Sequence, residues 1–392
     1  MKILVISQYY YPEPFRITET CETLVKRGHS VTVLTSQPNY PEGDIYEGYN
    51  NIYKVEELNG VKIYRTKIHP RKKGSIHLFL NYISFPHYSK KVLKKLDDDY
   101  EVVFINQLSP VLSALPGIRY AKKNKVKTFL YCLDLWPESL ISGGITEGSI
   151  IYKFFEFVSK RIYRKVKHVL VTSKSFSVKF SKYGIESIYL PQYAEDSFHY
   201  IPNSIGEDNK FHCTFAGNIG EMQSVETIIY AANELREYKE IIFNIYGTGS
   251  NFDNIKKLRN EMNLDNVILH GRKDISQMPY VYSKSNIMLI TMRKNDLLSL
   301  TLPGKVQTYL AAGKPILGAI DGETKLVIEE SQAGYVCEAE NYKEFSALIL
   351  KAKNDTNLDK KGISGLNYYK DNFSKNSFFK KLENIFEEDN NV

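Results

Sequence analysis

Residues 301–316 read Thr-Leu-Pro-Gly-Lys-Val-Gln-Thr-Tyr-Leu-Ala-Ala-Gly-Lys-Pro-Ile. A loop carrying Lys305 opens a short helical stretch, 305–312, and Gly313 closes it before an apolar strand at 315–319. A helix start presents unpaired N–H groups and the positive end of the helix dipole, which makes an anion site that a lysine strengthens. The competing reading is an ordinary exposed first-turn lysine, a position the dipole disfavours. A second segment, Phe-Ala-Gly-Asn-Ile-Gly-Glu-Met-Gln at 215–223, carries a strand through a Gly-rich turn into a helix. Two such turns in one α/β region imply a split diphosphate site. Arg293 and Lys294 follow the strand 287–290 and are placed to reach it. Arg272 and Lys273 follow Gly271 after the strand 267–270, either as contacts for a nucleotide base or as solvated charge.

The first half offers a different set. The loop Gln8–Arg16 follows the first strand and holds Glu13 and Arg16. It lacks G-x-G-x-x-G, and Gly247-Thr248-Gly249 has no third glycine at the right offset, so a dinucleotide fingerprint is absent. Asp134 follows the strand 127–132 within Leu-Asp-Leu-Trp-Pro-Glu-Ser. Trp136 is the single tryptophan, and an aromatic ring beside the carboxylates Asp134 and Glu138 suits a sugar, whose C–H face packs on the ring. Asp134 is equally read as the cap of the following turn. The eight histidines form no HxxxH or HxH pair, so no catalytic metal is expected. Neither G-x-S-x-G nor a Walker A motif occurs.

The elements that must position these residues alternate between strand and helix. Strands are expected at 2–7, 31–35, 61–66, 101–105, 127–132 and 168–172, with helices at 17–27, 76–96, 111–124 and 150–167 and a loop-rich stretch at 37–60. The series restarts at 212–216 and continues with strands at 241–246, 267–270, 287–290 and 315–319. Helices there are expected at 224–237, 251–262, 277–284, 323–331, 342–353 and 375–387, before a polar, frayed tail at 387–392. In a chain of 392 residues, 43% of them apolar, two βα series joined near 190–205 mean two doubly wound α/β domains. The expected bounds are 1–190 and 191–369, with a terminal helix at 370–392 packing back on the first. Ligands of such sheets sit beyond the carboxyl ends of the strands, here in the cleft between facing domains.

Charge is uneven. Residues 1–190 hold 29 Lys and Arg against 17 Asp and Glu, and the remainder 23 against 28. A basic first half implies either an anionic partner or a solvated Lys-rich surface. The segment 69–96 mixes aliphatic and aromatic residues with clustered lysines, and 151–167 repeats the mix with Phe154, Phe155, Phe157, Lys160, Arg161, Arg164, Lys165 and Lys167. Such segments suit peripheral contact with an anionic membrane, or they are amphipathic helices packed on a core. No nucleic-acid motif accompanies them. Cys21, Cys132, Cys213 and Cys337 are far apart and form no CxxC, which reads as buried thiols in a reducing compartment. No signal peptide or apolar run of spanning length is seen, so a cytoplasmic location on the inner face of the cell membrane is expected.

Across essentially its whole length the chain resembles the retaining glycosyltransferases of family 4, which have the GT-B fold. Phe-Ala-Gly-Asn-Ile-Gly resembles the turn that opens their second domain, Ile-Tyr-Gly-Thr-Gly-Ser their Gly-x-Gly strand end, and Tyr-Leu-Ala-Ala-Gly-Lys-Pro-Ile their donor-site helix and strand. Gln-Tyr-Tyr-Tyr-Pro-Glu-Pro-Phe-Arg-Ile-Thr and Asp-Leu-Trp-Pro-Glu-Ser resemble a branch working in O-antigen and capsule assembly that includes L-fucosamine transferases. The resemblance implies transfer of a sugar from a nucleotide diphosphate, UDP, to a polyprenyl-diphosphate-linked glycan, without a metal or other cofactor. Lys305 would hold the diphosphate with N–H groups near 217–220 and 301–304, which brings in Gly217, Gly220, Thr301 and Gly304. Gly247, Gly271, Arg272 and Lys273 would lie on the base side. Asp134 and Glu13 would serve the chemistry, and Arg16, Trp136 and Glu138 the acceptor. The family's Glu-x7-Glu motif, whose second Glu binds the ribose, is replaced by Leu300 and Thr308, and the Arg and Lys of its Gly-rich turn fall on Asn218 and Gln223. These departures leave two other readings open: a nucleotide-sugar epimerase of the same architecture, and a homologue that binds without turnover.

Overall fold

A computed structural model describes residues 1–41, 43–72, 74–97, 99–204 and 209–388. Lys73 of the basic segment, position 205 of the expected join and the tail 389–392 lie outside the described residues. The chain divides into two units, Met1–Leu190 with the C-terminus from Phe386, and Pro191–Ile385.

The first unit is built on an eight-stranded sheet: β1 (Lys2–Ile6), β2 (Ser30–Ser36), β3 (Lys54–Leu58), β4 (Val61–Thr66), β5 (Val102–Gln107), β6 (Lys127–Cys132), β7 (His168–Val171) and β8 (Ser187–Tyr189), in the order β3-β4-β2-β1-β5-β6-β7-β8. β1 and β5 are buried almost throughout, as befits parallel strands covered on both faces. β3 lies within the stretch expected to be loop and is the antiparallel exception. Asn59 and Gly60, both at positive φ, form a two-residue hairpin turn between Leu58 and its partner Val61. Strand order reverses between β1 and β5, the position where sheets of this kind bind ligands.

Helices Ser75–Val92, Leu115–Asn124 and Ile150–Tyr163 match expected segments, the first and the last each ending four residues early. Helix Lys174–Lys182 was not anticipated; Ser173 caps it by accepting from the Phe176 N–H. Phe386 stacks edge-on against Phe104 and Phe129 of the first core.

The second unit has six parallel strands, β9 (Phe211–Ala216), β10 (Ile241–Tyr246), β11 (Val267–Gly271), β12 (Ile287–Thr291), β13 (Ile316–Ala319) and β14 (Gly334–Cys337), in the order β11-β10-β9-β12-β13-β14. Its switch point lies between β9 and β12. Phe215, Ile228, Phe243, Leu289 and Leu317 belong to one continuous core. β14 and helix Leu358–Asn372 are additions to the sequence reading. All four cysteines are buried free thiols. Among the described residues no helix is long and apolar enough to cross a membrane.

Candidate active site

At the second switch point, β9 runs into the turn Gly217–Gln223, and helix Gly304–Ala311 starts beside it. The turn is locked to the loop after β10 by main-chain bonds: Gly217 N–H to Tyr246 O (3.0 Å), Ile219 N–H to Thr248 O (2.9 Å) and Asn251 N–H to Ile219 O (3.0 Å). This close approach is why glycines stand here. A Cβ on Gly247, at φ 140°, would lie 1.8 Å from the Gly217 carbonyl oxygen. The end of β12 is stapled to the same turn, with Thr291 Oγ1 donating to Gln223 O (2.6 Å) and Arg293 N–H to Met222 O (3.0 Å).

Lys305 is the side chain these elements surround. Its Nζ is buried without a hydrogen-bond partner, 4.2 Å from the centre of the Phe215 ring. It sits so close to Gly217 that a Cβ there would come within 2.9 Å of it. Burial alone pushes the ammonium down to about 8. An unpaired buried cation is costly, and the Phe215 ring offsets only a small part of that cost, so the place favours an anion. One turn along the helix, Tyr309 fixes its position: the hydroxyl donates to Ala216 O (3.1 Å) and accepts from Ala216 N–H (3.3 Å). Lys305 and Tyr309 are four apart on one face, a spacing legible in the sequence, yet Tyr309 and Phe215 were not singled out there.

Several expected donor contacts are engaged elsewhere. The Thr308 hydroxyl donates back to Gly304 O (3.0 Å), inside the helix. The Gln223 side-chain oxygen accepts from Gly220 N–H and from Asn218 Nδ2, both at 3.1 Å, so these polar groups shape the turn. Thr301 Oγ1 donates to Leu298 O (2.8 Å) and closes its own turn. Gly304 is open to solvent at the helix start, and the Arg293 side chain is exposed. Gly271 accepts from Gly247 N–H (2.8 Å), while Arg272 and Lys273 are exposed beyond it. Beside them the rings of Tyr246 and His270 stack at 4.0 Å.

At the first switch point the acids Asp134 and Glu13 are paired, while Gln8 Oε1 and Gln37 Oε1 are buried without a hydrogen-bond partner. Asp134 Oδ2 accepts from Ser109 N–H (2.9 Å), and Ser109 Oγ accepts from the Trp136 indole N–H (2.8 Å). Burial raises the Asp134 pKa, opposed by Ser109 and by the charge of Arg71. The Trp136 expectation is corrected: the ring is 1% exposed, held between Tyr82 and Phe155, and offers no face to a sugar. Glu138 is likewise a core group, accepting from Tyr183 OH (2.9 Å) and paired with Lys179 (2.7 Å). Glu13 is buried and accepts backbone N–H bonds from Tyr10, Asn39 and Tyr40 (3.1, 2.9 and 2.8 Å). Burial lifts it to about 7 against those three donors. With both oxygens engaged, Glu13 ties two loops together rather than facing a substrate. Arg16 is half-buried at the start of helix Ile17–Lys26. Among the described residues no group of three or more His, Cys, Asp or Glu is placed to hold a metal ion.

Two family models match in succession: Glycosyltransferase Family 4 over residues 16–203 and Glycosyl transferases group 1 over 200–364. The chain is a glycosyltransferase of the family 4 type. It is 24% identical over 363 residues to the Escherichia coli (strain K12) protein WcaI, named as a colanic acid biosynthesis glycosyl transferase, with 86% of each chain covered. Solved structures give the GT-B fold of this glycosyltransferase. Sucrose-phosphate synthase from Thermosynechococcus elongatus superposes with a TM-score of 0.76 at 15% identity over 99% of this chain and 98% of that one. Anabaena HepE in complex with UDP and glucose gives 0.70 at 12% identity over 99% of each. WaaG, a glycosyltransferase involved in lipopolysaccharide biosynthesis, gives 0.68 at 14% identity over 98% and 99%.

Proposed function

We propose that this glycosyltransferase moves a sugar, an N-acetylated amino or deoxyamino sugar, from UDP to a lipid-linked glycan in the assembly of a surface polysaccharide, with retention of anomeric configuration. The observation that carries the reading is Lys305: a buried, unpartnered ammonium against Gly217 at the β9/β12 switch point. The relative named for colanic acid biosynthesis, WaaG and the UDP complex of HepE support the pathway class and the nucleotide.

In this mechanism the anomeric C–O bond breaks and its electron pair passes to the diphosphate. Lys305 and the N–H groups at the start of helix Gly304–Ala311 stabilise that charge in place of a metal. The acceptor hydroxyl attacks from the leaving-group face, and its proton goes to the departing diphosphate oxygen. Asp134 on the first unit orients that hydroxyl. The basic, aromatic-bearing helices of the first unit keep the enzyme at an anionic membrane surface.

Thermal unfolding against UDP, GDP and UDP-N-acetyl sugars tests the donor assignment. A ligand at about 100 times its Kd adds about 2.7 kcal/mol to the folded state. A shift with UDP and none with GDP is expected. Absence of a shift with every nucleotide removes the donor reading.

A further inference from the structure

Helix Ser75–Val92 and the segment 111–124 enclose an open groove of about 500 Å³ on the first unit, the size of a small-molecule site. Its floor is aliphatic: Leu80, Ile83, Pro86, Leu112 and Leu115. Lys90 and Arg119 stand at its rim beside His69 and His87, and among the described residues no carboxylate lines it. Pro86, inside the helix, has no N–H to donate one turn back. Its own carbonyl accepts from Arg119 Nη1 (3.1 Å), which anchors the guanidinium at the groove edge.

At one end, Ile76 (73% exposed), Phe79 (52%) and Ile83 share one helix face. Trp136, wedged between Tyr82 and Phe155, brings the helix Ile150–Tyr163 alongside, where Ile150 (88%) and Phe154 (59%) are also bare. His69 stands at this same end, its ring Nε2 3.0 Å from Nδ1 of His77 in the first turn of the helix Ser75–Val92. An aliphatic floor with a cationic rim complements a molecule that is a hydrocarbon chain with an anionic head. It complements neither a free oligosaccharide, which needs polar partners along its length, nor a bare phosphate, which leaves the floor in water.

We propose that this groove holds the hydrocarbon chain of a prenyl diphosphate carrier, its diphosphate meeting Lys90 and Arg119 at the rim. The inference rests on the lipid-linked acceptor of the reading above and adds the site that takes the lipid.

The test is titration of the full chain with monomeric farnesyl diphosphate, inorganic diphosphate and UDP in parallel. Farnesyl diphosphate is expected to bind at least tenfold tighter than inorganic diphosphate. Ile83→Glu should weaken it at least tenfold with UDP affinity unchanged, and the milder Ile83→Ser should weaken it less. An unchanged melting temperature shows that the variants are folded. Equal binding of the two diphosphates, or farnesyl diphosphate binding indifferent to both Ile83 variants, overturns the proposal. So does binding to anionic vesicles without binding of farnesyl diphosphate. Groove-dependent farnesyl diphosphate binding without UDP binding would leave the groove standing and remove the donor reading; the opposite pattern would do the reverse.

Discussion

The two switch points, β1/β5 and β9/β12, follow the same topological rule but leave their charges in opposite states. In the second unit the ammonium of Lys305 is buried with no partner. In the first, Asp134 and Glu13 each accept from donors of their own unit. Both arrangements follow from loops crossing strand ends, where backbone N–H groups are plentiful and acids find donors readily. A lysine at the same kind of place finds N–H groups that repel it. The stranded cation is the local misfit on which the proposed donor site rests. The basic first unit pairs Asp134 and Glu13, leaves only one buried oxygen of Glu138 without a partner among its described acids, and exposes cations and aliphatic residues instead.

The largest effect that would break this contrast is at Lys305. Lys305→Met should lower turnover at least 100-fold and abolish the UDP-dependent thermal shift. The ligand-free variant should at the same time be more stable than the parent by on the order of 2 kcal/mol, because the uncompensated charge is gone. The sign follows from linkage. The folded pKa of about 8 lies below the ordinary 10.5, so between those values the unfolded chain binds more protons and Lys305 makes stability rise with pH. UDP needs the protonated amine, so its affinity in the parent should fall about tenfold per pH unit above 8, and the variant should lose that dependence. A ligand-free variant less stable than the parent would mean that the ammonium is satisfied after all.

Gly247→Ala comes next. Its Cβ would meet the Gly217 oxygen at 1.8 Å, so the two loops must part. A loss of about 2–4 kcal/mol is expected, with a weakened UDP shift. An unchanged melting temperature would show that the loops are not interlocked.

Asp134→Asn sharpens the other side of the comparison. It keeps the acceptance from Ser109 N–H but removes the charge, so turnover should fall at least tenfold while UDP affinity stays within twofold. Equal loss in both would reduce Asp134 to a structural group. The smallest effect is expected from Trp136→Phe, which removes the indole donor to Ser109 but keeps an aromatic ring between Tyr82 and Phe155. About 1 kcal/mol of stability should be lost, with turnover reduced less than threefold. A larger loss of turnover would mean that the ring does meet substrate.

Much of the fold is legible in the chain because parallel strands buried on both faces are near-continuous apolar runs, and most strands of both sheets fall where those runs lie. β3 was hidden because Lys54–Leu58 is a polar edge strand, although its Asn59-Gly60 turn was a readable hairpin signal. β8 and β14 are short, half-buried edge strands without the continuous apolar run that marks β7 and β13. In the site, Lys305 and the glycines at 217, 220 and 247 were readable as types in a turn-and-helix pattern. Thr308, Gln223 and Glu138 were misjudged for a common reason. A polar side chain near a strand end is as often consumed by the backbone beside it as offered to a ligand, and residue type does not distinguish the two.

The sequence by itself determined two successive βα series, the strand ends where chemistry must sit, and a lysine at a helix start beside a Gly-rich turn. It also determined the excess of cations in the first half. Only the tertiary structure decided that Lys305 is stranded over Phe215 while Asp134 and Glu13 are paired, and that Trp136 is a wedge rather than a platform. It also brought helix Ser75–Val92 and the segment 111–124 together into a groove. The physical reason is that periodicity and turn chemistry are local, written within a few residues. Whether a polar atom meets a partner or is left bare depends on groups far away in the chain that packing brings within 3 Å.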